Sequence, residues 1–405
     1  MKTKAVIFLP DGMADEPLNE LGGKTPLEYA HTPGMDSIAK NGASGTFLTL
    51  PDGLPTSSDV ANMSVLGFLP EKNYPGRGPI ECASQGIELG PDDVAFRCNL
   101  VYASDDQILR DYSAGHIDNE RARRLMEDLQ KEFGSDEVTF YSGVSYRNLL
   151  VLHGKRFSAA VNYFKPDSSA DIPLAELKSS PADDSAEARE TVAFLHDLEE
   201  RCAAFLAAHE LNAGISSPAN CIWPWSPGKK PAIPGFETLY NGRKGAIISA
   251  VDVIKGLGRC TGMEVIEVPG ATGFVDTNYT GKMEAALKAL EDHDLVYLHV
   301  EAVDECSHLG DLKLKLQAIE DFDAKIVVPL LEALKSRSDI NFAVLPDHPV
   351  PVRLRKHTTT PVPLAICGPA VPAPDTIEFY SETLAPQGTL GALKEDMLVR
   401  KLLGL

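Results

Sequence analysis

The sequence is short of positive charge. Its 405 residues include 38 Lys and Arg against 58 Asp and Glu, which gives a formal net charge of −20 at pH 7. Nucleic-acid binding needs a basic face that neutralises phosphates, and an anionic membrane surface attracts basic segments. The acidity therefore argues against both kinds of partner. It leaves small anionic substrates open, because metal ions or a local basic cluster can hold them.

The sequence also lacks a long hydrophobic run. The first apolar stretch, residues 5–9, ends at Pro10 and Asp11 and meets no small-residue cleavage site. It is too short for the hydrophobic region of a signal peptide. No other stretch approaches the roughly 20 apolar residues of a membrane span. We therefore expect a soluble, cytoplasmic protein.

Cysteine patterns of disulfide frameworks and zinc sites are missing too. The seven cysteines are scattered, and no two of them form a C-x-x-C pair. An odd, scattered set is not a disulfide framework, and it predicts buried thiols in a reducing compartment. These residues are Cys82, Cys98, Cys202, Cys221, Cys260, Cys306 and Cys367.

Common nucleotide-binding and hydrolase motifs are incomplete. Residues 23–25 (Gly-Lys-Thr) resemble the end of a Walker A loop, but Leu18 stands where the leading Gly belongs. Residues 76–78 (Gly-Arg-Gly) lack the third Gly of a dinucleotide fingerprint. The G-x-S-x-G elbow of α/β hydrolases is absent from the sequence. We therefore predict no nucleotide cofactor.

What the sequence does contain is an alternation of apolar strands and amphipathic helices. It starts with a strand at residues 5–9 and a helix at 27–40, and it returns from residue 244 with strands that include 295–300 and 342–345. This alternation is typical of an α/β fold with a doubly wound, mostly parallel sheet.

The middle of the chain has a different sequence pattern. Short strands there alternate with strongly charged helices, and the region ends in a Pro-, Gly- and Lys-rich stretch at 223–231. We predict that residues 1–74 and 240–405 form one discontinuous, metal-binding domain. Residues 75–239 would then be a smaller α+β domain inserted into it, which binds the substrate.

Asp or His residues follow three of the predicted strands. Because the carboxyl ends of parallel strands meet at one edge of a sheet, these side chains should converge. A single Asp after a strand is usually a turn or capping residue, but a whole set favours a metal site. The donors suit Mn²⁺, Zn²⁺, Fe²⁺ or Co²⁺, and they are numerous enough for two ions. The six are Asp11, Asp304, His308, Asp347, His348 and His357.

A serine lies between another predicted strand and the helix that follows it. Ser58 and Asp59 are typical of a helix N-terminus, where Ser alone is usually a cap. Beside a metal pair, the Ser58 hydroxyl could instead be deprotonated and act as a nucleophile. The helix N-terminus would help to hold a phosphate. Histidines outside the set, such as His299 and His31, are interpreted as surface or satisfied core residues.

A series of ordered motifs covers nearly the whole chain. They lie at residues 9–12, 58–62, 76–79, 96–99, 223–225, 249–256, 269–273, 304–308, 347–348 and 357–358. Together they resemble the archaeal-type, cofactor-independent phosphoglycerate mutases of the alkaline phosphatase superfamily. The resemblance implies an alkaline-phosphatase-like fold with an inserted domain.

The resemblance also implies a reaction. It is the glycolytic interconversion of 3-phosphoglycerate and 2-phosphoglycerate, through a phosphoserine and without bisphosphoglycerate. Two divalent ions would be needed, with Mn²⁺ favoured and Zn²⁺, Co²⁺ or Mg²⁺ as alternatives. Other functions stay open. One group comprises a metal-dependent phosphatase, a mutase or a homoserine-kinase-like phosphotransferase that acts on another small phosphorylated hydroxy acid. The others are a metal-stabilised binding protein without catalysis and a plain α/β domain with no site. The sequence predicts no oligomeric state.

Residue roles follow from the same resemblance. Ser58 would be the nucleophile, and Lys255 would stabilise phosphoryl oxygens. One ion would be held by Asp11, Ser58, Asp347 and His348, and the other by Asp304, His308 and His357. The substrate candidates are Arg97, Asn99, His116, Arg147 and Lys229. The chain departs from the family pattern at His116, where Arg is expected, and at Ser57, where Gly is expected. The substrate and the acting hydroxyl are therefore left open.

Overall fold

The structure is a computed structural model that describes residues 2–371 and 373–405 of the chain. Across these two ranges, no helix has both the length and the apolar character that crossing a membrane requires. None of the seven cysteines, all of which lie within these ranges, forms a disulfide.

The chain divides into two compact units. The first is Met1–Tyr74 with Ile233–Leu405, and the second is Pro75–Ala232. This division places residues 233–239, which the sequence analysis assigned to the inserted domain, in the first unit. Contacts within the first unit hold this segment, because the Phe236 ring lies against Phe68 and the Tyr240 hydroxyl donates a 3.0 Å hydrogen bond to the Leu66 carbonyl.

The first segment of the chain supplies two strands and four helices. The sequence predicts one helix over residues 27–40, but the structure has two. Pro33 has no amide hydrogen to donate, and Thr32 before it has an extended φ of −130°. The elements are β1 (Lys4–Pro10), α1 (Pro26–Tyr29), α2 (Pro33–Lys40), β2 (Gly42–Phe47), α3 (Ser58–Val65) and α4 (Pro70–Asn73).

The second unit is an antiparallel α+β structure. Its elements are α5 (Arg77–Ser84), β3 (Val94–Ala103), β4 (Leu109–Asp111), α6 (Asn119–Phe133), β5 (Val138–Val144), β6 (Arg147–Leu152), β7 (Val161–Asn162), β8 (Ser180–Pro181), α7 (Ala186–Ala207) and β9 (Cys221–Gly228). The main sheet has the order β4-β3-β6-β5, and β9 also pairs with β3. Most of the Pro-rich stretch thus lies in a sheet strand, because β9 pairs with β3 from Ala95 to Val101.

The chain then returns to the first unit. Its remaining elements are α8 (Phe236–Leu239), β10 (Gly245–Ile248), α9 (Asp252–Cys260), β11 (Glu264–Ile266), α10 (Tyr279–Asp292), β12 (Leu295–Val300), α11 (Ala302–Leu309), α12 (Leu312–Phe322), α13 (Val328–Leu334), β13 (Ile340–Val344), β14 (Val362–Cys367), β15 (Gly391–Leu393) and α14 (Met397–Leu403). A π-helical turn, Asp323–Val327, joins α12 to α13.

Eight strands of the first unit form one sheet, in the order β11-β10-β12-β1-β13-β14-β2-β15. Among the described strands of this sheet, β14 alone is antiparallel to its neighbours. The predicted mostly parallel sheet is confirmed. β1 lies at its centre, where Pro10 pairs with Val300 and Phe8 with Val344. The carboxyl ends of β1, β12 and β13 are therefore adjacent.

Helices cover both faces of this sheet. Val6 and Phe8 of β1 join an apolar core with residues of α2, α10 and α12. Side chains alternate along a strand, so Ile7 belongs to the opposite face. On that opposite face of β10, Ile247 contacts α9, where a Cβ added to Gly258 would lie 3.0 Å from Ile247 Cδ1. The predicted doubly wound α/β fold is confirmed.

Candidate active site

The predicted metal ligands meet at the carboxyl ends of the three central strands. One donor atom each from Asp11, Asp347 and His348 lies within 4.8 Å of the other two. The same holds for Asp304, His348 and His357. Because His348 belongs to both groups, the two groups are adjacent and form one continuous cluster of donors.

The sixth predicted ligand, His308, joins this cluster through its Nε2 atom. That atom lies 3.0 Å from His357 Nε2 and 3.4 Å from Asp304 Oδ2. His308 Nδ1 is 2.9 Å from the Arg355 carbonyl, to which it can only donate. This hydrogen bond leaves the Nε2 lone pair of the neutral ring directed at the cluster. Burial lowers the pKa of His308, but Asp304 more than offsets this and raises it to about 9.

Burial makes the cluster electrostatically costly. Asp11 and Asp347 are fully buried. Burial raises the pKa of Asp347 to about 7, and burial together with repulsion from Asp347 raises the pKa of Asp11. Among the described residues, Asp11 Oδ1 and Asp304 Oδ1 are buried without a hydrogen-bond partner. Such carboxylates need a counter-charge, and divalent cations supply one. The donor set therefore fits metal ions.

Hydrogen bonds hold Asp347 in one orientation. Its Oδ1 accepts from the amides of Gly12 at 3.2 Å and His348 at 2.9 Å. Its Oδ2 accepts from Asn62 Nδ2 at 2.7 Å. Gly12 has a φ of +64°, and a Cβ there would lie 2.6 Å from Asp304 Oδ1. The loop after β1 can therefore approach the cluster only with glycine at this position.

A buried ion pair joins two loops that carry predicted ligands. Lys315 Nζ lies 2.7 Å from Asp15 Oδ2, and both side chains are fully buried. The same ammonium donates to the Val350 carbonyl at 2.9 Å, and the Val352 amide donates to Asp15 Oδ2 at 3.0 Å. Lys315 thus joins the loop that follows Asp11 to the loop that follows His348.

Ser58 is the serine that reaches the cluster. It is the first residue of α3, and its Oγ lies 3.1 Å from His348 Nε2. Asn62 Nδ2 donates to the Ser58 carbonyl at 2.7 Å and fixes the start of the helix. The neighbouring Ser57 hydroxyl instead lies 3.5 Å from the Pro55 carbonyl. The geometry therefore favours Ser58 over Ser57 as the reactive hydroxyl.

Lys255 forms its ion pair outside the donor cluster. Its Nζ is 2.9 Å from Glu267 Oε2. Its charge, in addition to burial, lowers the pKa of Lys282, which is about 8. Lys282 donates a 3.0 Å hydrogen bond to the carbonyl of His299, next to the ligand cluster. The phosphoryl-binding role of Lys255 stays a prediction.

Two predicted substrate residues, Arg97 and Asn99, are buried in the second unit. Arg97 forms an ion pair with Glu81 and donates to Asn99 Oδ1 at 3.2 Å. The Trp225 indole donates to the same oxygen at 3.0 Å. Burial lowers the pKa of Arg97 to about 10 despite its pair with Glu81. Both side chains are thus engaged in internal hydrogen bonds.

The other three substrate candidates are exposed. Arg147 stands opposite Asn99 in the β3–β6 register. His116 lies in the loop after β4 with a φ of +51°, and Lys229 directly follows β9. The structure brings Arg147 close to Asn99 but places no described contact between His116 or Lys229 and this pair. The roles of all five candidates in substrate binding stay predictions.

Sequence reasoning missed His299 and Glu301. His299 is fully buried, with Nε2 2.9 Å from Asp11 Oδ2 and Nδ1 3.1 Å from Ser249 Oγ. Glu301 offers a donor within 4.8 Å of those of Asp11 and His299. The available signal was alternation, since Tyr297 and His299 share one face of β12 and Glu301 follows two positions later, just past the end of the strand. Polar groups on one face of a buried strand indicate a site.

The sequence of the chain is similar to those of one protein family. The family model of 2,3-bisphosphoglycerate-independent phosphoglycerate mutase matches residues 39–212. A Methanosarcina barkeri protein of that name is 44% identical over 401 residues, which cover 98% of each chain.

Two solved structures are similar over the full chain. A Pyrococcus horikoshii protein has a TM-score of 0.82 at 27% identity and covers 100% of this chain and 97% of its own. The cofactor-independent phosphoglycerate mutase of Thermoplasma acidophilum has a TM-score of 0.67 at 27% identity, with 100% and 99% covered. On the strength of the full-length sequence match, the chain belongs to the family of 2,3-bisphosphoglycerate-independent phosphoglycerate mutases.

Proposed function

We propose that the chain interconverts 3-phosphoglycerate and 2-phosphoglycerate through a phosphoserine at Ser58. The observation that carries this proposal is the 3.1 Å distance between Ser58 Oγ and His348 Nε2, inside a buried cluster of Asp and His donors. A hydroxyl in this position is poised to attack a phosphoryl group. Family membership supplies the substrate, since the relatives carry the name phosphoglycerate mutase.

Two divalent cations, with Mn²⁺ favoured, belong to the proposal. Asp11, Asp347, His348 and Ser58 would hold one ion, and Asp304, His308 and His357 the other. When bound, the ions would lower the pKa of the Ser58 hydroxyl and neutralise charge on the transferring phosphoryl group. The buried oxygens Asp11 Oδ1 and Asp304 Oδ1, which have no hydrogen-bond partner among the described residues, support this assignment.

The protein's own groups position the reacting hydroxyl. Ser58 begins α3, so the free amides of the first turn and the positive end of the helix dipole can hold phosphoryl oxygens. Asn62 fixes this end of the helix by bonding both the Ser58 carbonyl and Asp347. The phosphoryl group moves to Ser58 and returns to the other glycerate hydroxyl while the glycerate stays bound.

One assay tests the function directly. Purified, Mn²⁺-loaded protein is given 3-phosphoglycerate without bisphosphoglycerate, and 2-phosphoglycerate is detected through enolase. We expect turnover within the usual range of enzymes, about 1–10³ s⁻¹. Release of inorganic phosphate without 2-phosphoglycerate would favour the phosphatase alternative. Phosphorylation of homoserine by ATP, measured in parallel, would favour the phosphotransferase.

His299 gives a prediction about the metal site. Its hydrogen bond to Asp11 orients a proposed ligand, so we expect His299→Ala to lower Mn²⁺ affinity about 10–100-fold. Equilibrium Mn²⁺ binding, measured by titration calorimetry, checks this without reference to activity. His31→Ala is the control because His31 is exposed and outside the cluster. Equal affinities in the two variants would contradict the positioning role.

A further inference from the structure

The second unit contains a cavity that the proposed reaction does not use. It has a volume of about 620 Å³ and lies between α7, β9 and the segments that precede β4 and β8. Small-molecule sites typically enclose roughly 300–1,000 Å³. In the part of the chain that the structure describes, none of the predicted substrate residues lines it. The cavity is large enough for an organic ligand.

Its apolar wall is aromatic and fixed in place. Tyr163, Phe164 and Trp223 line one part of it, and Leu177 and Ile222 line another. The Trp223 indole donates a 2.9 Å hydrogen bond to the Phe164 carbonyl, which joins the Trp223 side chain to the backbone of Phe164. Aromatic faces attract cations as well as apolar groups. The wall is therefore suited to a ligand that has both.

The cavity also contains a carboxylate that lacks a partner. Among the described residues, Glu199 on α7 accepts no hydrogen bond and forms no ion pair within 4.0 Å, although its side chain is only partly exposed. Burial raises the pKa of Glu199 to about 8, and the charge of Lys178 only partly opposes this. A partly buried carboxylate without an ion-pair partner within 4.0 Å is costly, and a ligand cation would relieve the cost.

The charges around the cavity favour the same kind of ligand. In the described part of the chain, three acidic side chains line the cavity, Asp105, Glu199 and Glu200, and only one basic Lys or Arg side chain does so, Lys178. His196 is held by Ser179, whose Oγ lies 3.2 Å from its Nε2. We propose that this cavity binds a small organic ammonium cation with an aromatic or branched aliphatic body, its ammonium on Glu199 and its body against Trp223.

Calorimetric titration of the full chain tests the proposal. The probes are tryptamine and isopentylamine, and indole-3-propionate is the matched anion with the same ring as tryptamine. We expect at least one amine to bind saturably at one site with a Kd of about 1 mM or tighter, and the anion not to bind. The proposal is overturned if neither amine saturates, or if indole-3-propionate binds as tightly as tryptamine.

Two variants locate the binding. Glu199→Gln keeps the shape of the side chain and removes its charge, and we expect it to weaken amine binding at least 10-fold. Glu187→Gln, an exposed position on the same helix outside the cavity, should bind as the unmodified chain does. Thermal unfolding without ligand shows whether both variants are folded. Full affinity in a folded Glu199→Gln variant would place the amine elsewhere and overturn the assignment.

Discussion

Replacing Ser58 with Ala is expected to abolish mutase turnover, with a fall of roughly 10⁴–10⁶-fold. The hydroxyl is the group that would accept the phosphoryl, and its oxygen lies 3.1 Å from His348 Nε2. Removal of this oxygen leaves no other described serine hydroxyl in that contact. The measurement is the enolase-coupled assay, together with mass spectrometry of the protein mixed with substrate. Phosphate should be found on Ser58 in the unmodified chain and be absent from the variant.

Ser57→Ala is the matched control for this result. Ser57 is adjacent in sequence, but its hydroxyl lies against the Pro55 carbonyl rather than in the donor cluster. We expect the Ser57 variant to keep turnover within a few-fold of the unmodified chain. If Ser57→Ala lost activity and Ser58→Ala kept it, the assignment of the nucleophile would be reversed. If both variants turned over normally, the phosphoserine mechanism would be wrong.

Replacing Lys315 with Met is expected to destabilise the first unit by about 3–5 kcal/mol. The substitution leaves the fully buried Asp15 carboxylate without its cation. It also removes the donor to the Val350 carbonyl, so the loops after Asp11 and His348 lose one of the contacts that join them. The loss should appear as a lower urea midpoint with an unchanged slope. Circular dichroism is a more suitable probe than tryptophan fluorescence. Fluorescence would report on the second unit, because both tryptophans, Trp223 and Trp225, lie there.

Lys313→Met on the same helix provides the comparison. Lys313 is exposed, and surface substitutions usually change stability by no more than about 0.5 kcal/mol. Adding Asp15→Asn to Lys315→Met should recover part of the loss, because the orphaned charge disappears. Equal midpoints for the two Lys variants would show that the buried pair contributes nothing net to stability.

The convergence of the Asp and His donors could be predicted from the sequence because most of them stand next to a strong local signal. Asp11 and Asp347 follow apolar strands, and Asp304 and His308 have the spacing of one helix face. The break at Pro33 was also readable, since proline restricts its own and the preceding backbone. Local signals of this kind can be read from the sequence without knowledge of the fold.

The supporting residues could not be found in the same way. His299 is 288 positions from Asp11, and Lys315 is 300 positions from Asp15. Alternation along β12 places His299 on one face of the strand but does not identify its partner, and Lys315 looks locally like an ordinary helix residue. Only the tertiary fold brings each of them to its partner. The reversed direction of β14 is likewise set by the long connection after β13, which has no periodic pattern. Long-range pairing therefore limits what one sequence can predict.

The central position of β1 has a consequence for how the chain is made. Its partners, β12 and β13, begin at residues 295 and 340, so the strand emerges from the ribosome long before either neighbour exists. At about 5–20 residues per second, the wait for β12 is roughly 15–60 s. Throughout that time an apolar strand with two open edges is unprotected, and such edges template aggregation. The nascent chain must therefore be shielded until most of it has been synthesised, and the donor cluster forms only at the end.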